Sequence, residues 1–312
     1  MIDFGNFNEV FGRLGPSLYN QTFIQEAEAN RRNFEGALFI DKVLAALGLA
    51  KVRGLYPPKS DATLHQLHEK VTTSTNIATH HKLSILYYLL LDVDSLLPPK
   101  SGHGEPLRAE QFANRSGLPS KYQLLISGLW FFDRKAFAKG LEYLTHPSLT
   151  PEFADDIVTV LSRQASKDAD YTLPLAYWHT VQPVLKDETA VQLLFDAMIQ
   201  GNVGEALRFS RTKPESQREG LFKRLIIGVL DSGHGEEAAD RAGELASLSF
   251  NEREDEWFRQ CLEGGEGKRL KIARDTLLMR RIALGEPVST TGEKGTWGVV
   301  MEAFKVGSGG RT

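Results

Sequence analysis

Several side chains in this sequence are of types that can do chemistry. His65 and His68 lie three apart on a stretch that reads as helix, with His80 and His81 close behind. Two imidazoles on one helical face can ligate zinc. No HExxH pattern accompanies them, and no cysteine or carboxylate stands at a ligand-like spacing. They therefore read as surface or packing histidines, and no metal or other cofactor is expected. Asp92 with Asp94, and Asp155 with Asp156, are carboxylate pairs. Holding magnesium needs several acids converging on one cavity, and neither pair has a partner motif. Asp155 and Asp156 are better explained as acids in the first turn of a helix, where the dipole favours them.

Glycine-rich pieces occur at 102–104, 264–267 and 307–310. None follows a strand pattern or reads GxxxxGK[ST], so a phosphate cradle is not expected. Cys261 sits on an apolar helix end with no local cationic motif to activate it, and reads as a small packed residue. No catalytic residue is assigned. The one stretch with an interaction reading is basic, from Lys268 to Arg281. It reads as an amphipathic terminal helix whose charged face is solvated, or as a docking face for an acidic partner or nucleic acid. The candidate partner-binding residues are Arg274, Arg280 and Arg281.

The elements that would position these groups are helical. Between Tyr122 and Leu161, Leu125, Ile126, Leu129 and Phe132 share one helical face, and Trp130 and Phe131 widen it. That helix should be buried on more than one side, with all three aromatics in the core. A short turn at Asp133–Lys135 leads to a partner helix carrying Phe137, Leu141 and Leu144. The prolines of His146–Pro151 stop it. Thr150 is expected to cap a third helix with Pro151 at its first position.

Elsewhere, the pattern predicts a turn or two of helix before residue 20 and an exposed helix over 21–34. Helices follow around Phe39–Leu47, from Asp61 as cap, and over Asn76–Leu91. A long connection over 92–119 holds a short helix near Ala109–Ala113, and 164–171 reads as another connection. Later helices carry Tyr177 and Trp178, start at Asp187 or Glu188, and start again after the turn Gly201-Asn202. Others run over 216–232 and Glu236–Leu245, from the cap Asn251, and over Lys268–Leu284. Phe137, Gly140, Leu141 and Tyr143 match Val203, Ala206, Leu207 and Phe209, each pair 66 residues apart. In both hairpins a small residue before a leucine lets two helices approach closely. The expectation is eleven to thirteen helices, all-α, in an irregular α-solenoid of stacked hairpins. Residues 1–285 would form one domain, with 1–60 loosely attached. A flexible tail over 286–312 would hold one apolar piece, Trp297 to Phe304.

The 312 residues carry a net charge of −3 and one cysteine. The charge argues against general nucleic-acid binding, which favours a basic domain. The cysteine count excludes an internal disulfide and suggests a reducing, intracellular compartment. The N-terminus does not read as a secretory signal. The longest apolar run, Ile85 to Leu91, is too short to span a bilayer, which takes about 20 residues.

Four ordered segments resemble the helical domain of the ELYS nucleoporin family: LYYLLLDVD, FANRSGLPSKYQLLISGLWFFDRKAFAKGLEYLTHPSL, LLFDAMIQGNVGEALRFSR and ELASLSFNEREDEWFRQCL. The most specific parts are I-x-G-L-W-x-x-D (Ile126, Gly128, Leu129, Trp130, Asp133) and the tetrad His146–Leu149. The run Gly201, Val203, Glu205, Ala206, Leu207, Phe209, Arg211 and the acidic turn before Trp257 add to them. The resemblance implies a non-catalytic α-solenoid-like scaffold of the nuclear pore, attached to the other nucleoporins of the Y-shaped scaffold complex. It implies support of pore assembly and of mRNA and protein transport across the nuclear envelope. Large animal members also carry a β-propeller and a chromatin-binding tail with AT-hooks. This chain shows no propeller-length region before its helices and no R-G-R-P, so it resembles the short fungal form. Direct DNA or chromatin binding, membrane insertion and a small-molecule substrate are not expected. The residues also admit a helical adaptor of a vesicle coat or proteasome lid, or an all-helical enzyme with a buried acidic pocket.

Overall fold

The computed structural model describes residues 2–12, 14, 18–97, 106–232 and 235–285. All regular structure among them is helical, and the chain divides into two compact units, Met1–Leu194 and Phe195–Thr312.

The first unit holds α1 (Phe7–Phe11), α2 (Gln21–Asn33), α3 (Phe39–Ala46), α4 (Asp61–Thr73) and α5 (Thr79–Leu96). It continues through α6 (Arg108–Ser116), α7 (Ser120–Asp133), α8 (Phe137–Leu144), α9 (Ala154–Asp168) and α10 (Thr172–Val181), and ends inside α11 (Glu188–Gly201). α5 is the central element. Its run from Leu83 to Leu90 is buried on every side, which is why its apolar residues show no helical stripe. It packs against α4, α6 and α7. α7 and α8 form a tight hairpin. A Cβ added to Gly128 would meet Leu144 Cγ at 2.5 Å, and one added to Gly140 would meet Phe132 Cδ2 at 2.5 Å. Glycine is required at both positions by the close approach of the two helices.

The second unit comprises the rest of α11, then α12 (Val203–Arg211), α13 (Glu215–Leu230), α14 (Glu236–Ser247), α15 (Glu252–Glu263) and α16 (Ala273–Ala283). α13 buries Leu221, Phe222, Leu225, Ile226 and Val229 and packs against α12, α14 and α15. The two asparagine caps are clear. Asn202 accepts from Glu205 N at 2.8 Å, and Asn251 accepts from Glu254 N at 2.9 Å, while the Glu254 carboxylate returns to Asn251 N. α8 and α12 begin at Phe137 and Val203, so the offset of 66 seen in the sequence matches two helix starts, and Gly140 and Ala206 are both buried.

Several expectations are corrected. The described residues form sixteen α-helices rather than eleven to thirteen. α5 runs on to Leu96, and Asp94 then caps α6 by accepting from Arg108 N and Ala109 N at 3.0 and 2.9 Å. Ser60, not Asp61, caps α4 through Thr63 N. Thr150 and Pro151 do not open the third helix. Phe153 takes a left-handed φ of 57° and α9 starts at Ala154, still with Asp155 and Asp156 in its first turn. α9 also absorbs most of the connection expected over 164–171, ending at Asp168 before a left-handed Ala169. The stretch Lys268–Leu284 is two pieces, a 3-10 turn at Glu266–Arg269 and then α16. Phe132 is buried, but Trp130 and Phe131 are only half-buried. The tail from 286, its apolar piece Trp297 to Phe304, Pro98, Pro99, the 102–104 and 307–310 glycines and Gly233 lie outside the described residues.

Candidate interaction surface

The polar residues of the first unit converge on its interior. Asp92, with no exposed surface, accepts from Trp130 Nε1 at 2.8 Å, Arg134 Nη2 at 2.7 Å and the Tyr19 hydroxyl at 3.2 Å. Arg134 also stacks on Phe23 and Trp130. Next to it, Asp133 accepts from Phe39 N, Ile40 N and the Tyr88 hydroxyl, and its own carbonyl accepts from Asn30 Nδ2. Arg31 forks onto Asp41 and donates to the Tyr56 carbonyl. Burial raises the Asp92 carboxyl, with Arg134 opposing, and pushes Asp133 up to about 7. Burial also holds the Tyr19, Tyr56 and Tyr88 hydroxyls well above 10.

Raised acids beside tyrosines can mark an active site. Here they cannot admit a substrate. The void beside Asp133 and Arg134, lined also by Asn30 and Tyr56, is about 10 Å³, hardly room for one water. Each carboxylate oxygen of Asp92 and Asp133 accepts from a donor in another part of the chain. The network fixes α2, α3, α5 and α7 against each other.

The histidines are packed by neighbouring rings. His65 stacks on Phe7 at 3.5 Å, the His68 Nε2 lies 2.9 Å from the Phe4 carbonyl, and His80 stacks on Tyr122. No group of three or more His, Cys, Asp or Glu side chains able to hold a metal ion occurs among the described residues. Asp155 accepts from Lys186 N and Asp187 N, while Asp156 pairs with Lys42. Cys261 is buried, which pushes its thiol up. No helix of the described residues is long and apolar enough to cross a membrane.

In the second unit, Arg274, Arg280 and Arg281 all line one open groove of about 660 Å³ between α15 and α16, with Glu252, Asp255, Arg259 and Glu263 opposite and Leu277, Leu278 and Leu284 along it. The three arginines are not equivalent. Arg280 is buried. Its guanidinium bonds Asp255 at 2.8–2.9 Å and the carbonyls of Ala246 and Leu248, and lies over the Phe250 ring. Arg274 and Arg281 are exposed on the rim. A run of basic residues at helical spacing does not tell which of them the fold consumes. The buried network was equally unreadable, because its donors lie on distant helices. The one signal was an aspartate ending an apolar run, at Asp92 and again at Asp133.

The ELYS family model, described as nuclear pore complex assembly, matches residues 37–265. That span takes in every helix from α3 to α15. The chain is also similar to an uncharacterised protein, ely5, of Schizosaccharomyces pombe, at 28% identity over 145 residues. The matched stretch is 46% of this chain and 44% of that relative, so it spans under half of either.

Proposed function

Because the chain belongs to the ELYS family of nuclear pore complex assembly proteins, we propose that it is a structural, non-catalytic part of the pore scaffold that docks onto the Y-shaped subcomplex. Family membership carries a location, the nuclear pore complex of the nuclear envelope, and nucleoporins as partners. The observation that carries this reading is the reach of the family match, which covers α3 to α15 in both units. Within it, the family-signature residues serve the fold: Asp133 caps α3, Gly128 lets α8 approach, and Trp130 binds Asp92. Signature residues that hold helices together suit a protein that acts by presenting a shaped surface. In this reading the hairpins stack as an irregular solenoid, and many copies in an assembled ring give avidity that one interface lacks. Support for pore assembly and for mRNA and protein transport follows from that position.

Affinity purification of the tagged chain from cells, with chemical crosslinking, tests this. The expected result is crosslinks to nucleoporins of the Y-shaped complex. Recovery of vesicle-coat or proteasome-lid subunits without nucleoporins would overturn it.

A further inference from the structure

The chain holds 13 prolines, and Pro151 alone follows a serine or threonine. Thr150, Pro151 and Glu152 are exposed and lie between α8 and α9, outside any helix or turn. Half-buried Leu149 and Phe153 anchor them on either side. The turn before them is closed by Leu149 N, which donates to the His146 carbonyl at 3.0 Å. The backbone groups of Thr150 and Glu152 make no hydrogen bond to other described residues.

Three hydroxyls stand in this connection. Thr145 Oγ1 donates to the Leu141 carbonyl at 2.7 Å, and Ser148 Oγ lies 2.7 Å from His146 Nδ1. The Thr150 hydroxyl has no partner among the described residues. The free hydroxyl is therefore the one that precedes the proline. Proline offers an enzyme's groove a fixed φ and no N–H that would need an acceptor. No Lys or Arg lies within five positions of Thr150, and the residue three further on is Phe153. An enzyme that reads flanking bases, or an acid three residues on, finds neither here.

We propose that Thr150 is a phosphorylation site, modified by a protein kinase that selects its substrate by the proline after the hydroxyl residue. The kinase moves the γ-phosphoryl group of ATP onto Thr150 Oγ. The bond from that phosphorus to the oxygen of ADP breaks, the new P–O bond forms, and the hydroxyl proton passes to the kinase's catalytic base. The phosphate adds a charge of about −1.5 to −2 at pH 7. Glu152 is the one acid between His146 and Phe153, so the connection goes from one negative charge to about three. Asp155 and Asp156, in the first turn of α9, are already held by Lys186 N, Asp187 N and Lys42. The added charge thus changes the surface and leaves that packing in place. A partner seated on this connection meets a nearly neutral face before the transfer and an anionic one after it. Nothing in this assignment depends on which pore partner the chain binds.

Mass spectrometry of the tagged full chain, purified from its own cells with phosphatases blocked, tests it. The wild type is expected to carry phosphate on Thr150. Pro151→Ala, which alters an exposed side chain, is expected to carry about tenfold less at that position or lower still, and to melt with the wild type. Treating the native full chain with a mitogen-activated protein kinase and Mg²⁺–ATP is expected to place one phosphate, at Thr150. A wild-type peptide spanning 145–153 recovered from cells only without phosphate would overturn the proposal. Undiminished phosphate in Pro151→Ala would assign the site to a kinase of another class, which also overturns it. Treatment that leaves Thr150 unmodified, or marks other positions alone, would show the folded connection to be closed to such a kinase and would overturn it as well.

Discussion

Asp133, the last residue of α7, accepts the backbone N–H of Phe39 through Oδ1 at 2.6 Å, across 94 positions of sequence. Its other oxygen accepts from Ile40 N at 3.0 Å and from the Tyr88 hydroxyl at 2.7 Å. Leu38, in the cap position of α3, has no side-chain oxygen, so the cap comes from another helix. One carboxylate thereby joins the ends of α3 and α7 to the central helix α5. The aspartate of the I-x-G-L-W-x-x-D signature is a long-range helix cap.

Removing it should be costly. Asp133→Ala leaves two buried backbone donors and a tyrosine hydroxyl without an acceptor. Each unsatisfied buried group costs roughly 1–3 kcal/mol, and partial relaxation should bring the total to about 3 kcal/mol. Urea denaturation of both proteins reads this directly. An unchanged midpoint would mean that α3 is not held by Asp133.

The same residue should give the fold a pH dependence. Burial pushes its carboxyl up to about 7, against an unfolded value of about 3.9. A proton held more tightly in the folded state adds stability at low pH. That contribution is full below about pH 4 and is lost as pH rises through about 7. The slope reaches at most about 1.4 kcal/mol per pH unit. Asp92 is raised by burial too and acts with the same sign. Between about pH 4.5 and 7.5, the wild type should lose stability relative to Asp133→Asn, which has no proton to release. Parallel curves would show that the carboxyl titrates alike in the folded and unfolded chain.

Where a boundary depends on neighbouring residues, it could be read from the sequence. Asn251 caps the helix it was expected to cap, the helix expected after the turn Gly201-Asn202 starts at Val203, and α10 stops two residues before Pro183. Where a boundary depends on a distant partner or an unusual backbone state, it could not. Phe153 and Ala169 sit in left-handed conformations that nothing in their side chains announces. Asp133 gives no hint that the backbone donors it caps lie before α4. The α15–α16 groove was legible only as a basic stretch, since the acids and leucines that complete it are set by packing. Arg280 was grouped with Arg274 because period and charge alone do not separate a buried guanidinium from a solvated one.

The α7–α8 crossing offers a test with an internal control. Gly140→Ala gains about 1 kcal/mol of helix propensity. Its new Cβ would stand 2.5 Å from Phe132 Cδ2 and 3.0 Å from the Gly128 carbonyl. Forcing a methyl there should destabilise the protein by about 1–3 kcal/mol net. Gly220, inside α13, has nothing within 4 Å of its added Cβ. Gly220→Ala should therefore stabilise by about 0.5–1 kcal/mol. Melting temperatures that move in opposite directions are the expected result. A shift of the same sign in both variants would mean that backbone propensity, not the close crossing, decides at Gly140.

The arginines of the groove should separate in the same way. Arg280→Ala removes the fork onto Asp255, two bonds to the carbonyls of Ala246 and Leu248, and the stacking over Phe250 at 4.3 Å. Breaking such a network while leaving its acceptors in place should cost about 2–4 kcal/mol, the partial exposure of Asp255 keeping it below the fully buried case. Arg280→Lys keeps the charge but cannot span the carboxylate and two carbonyls at once, so it should recover less than half of that loss. Arg274→Ala, at an exposed position, should change stability by no more than about 0.5 kcal/mol. Denaturant midpoints of the three variants rank them. If Arg280→Ala and Arg274→Ala unfolded alike, the buried guanidinium would not be what joins α16 to the turn between α14 and α15.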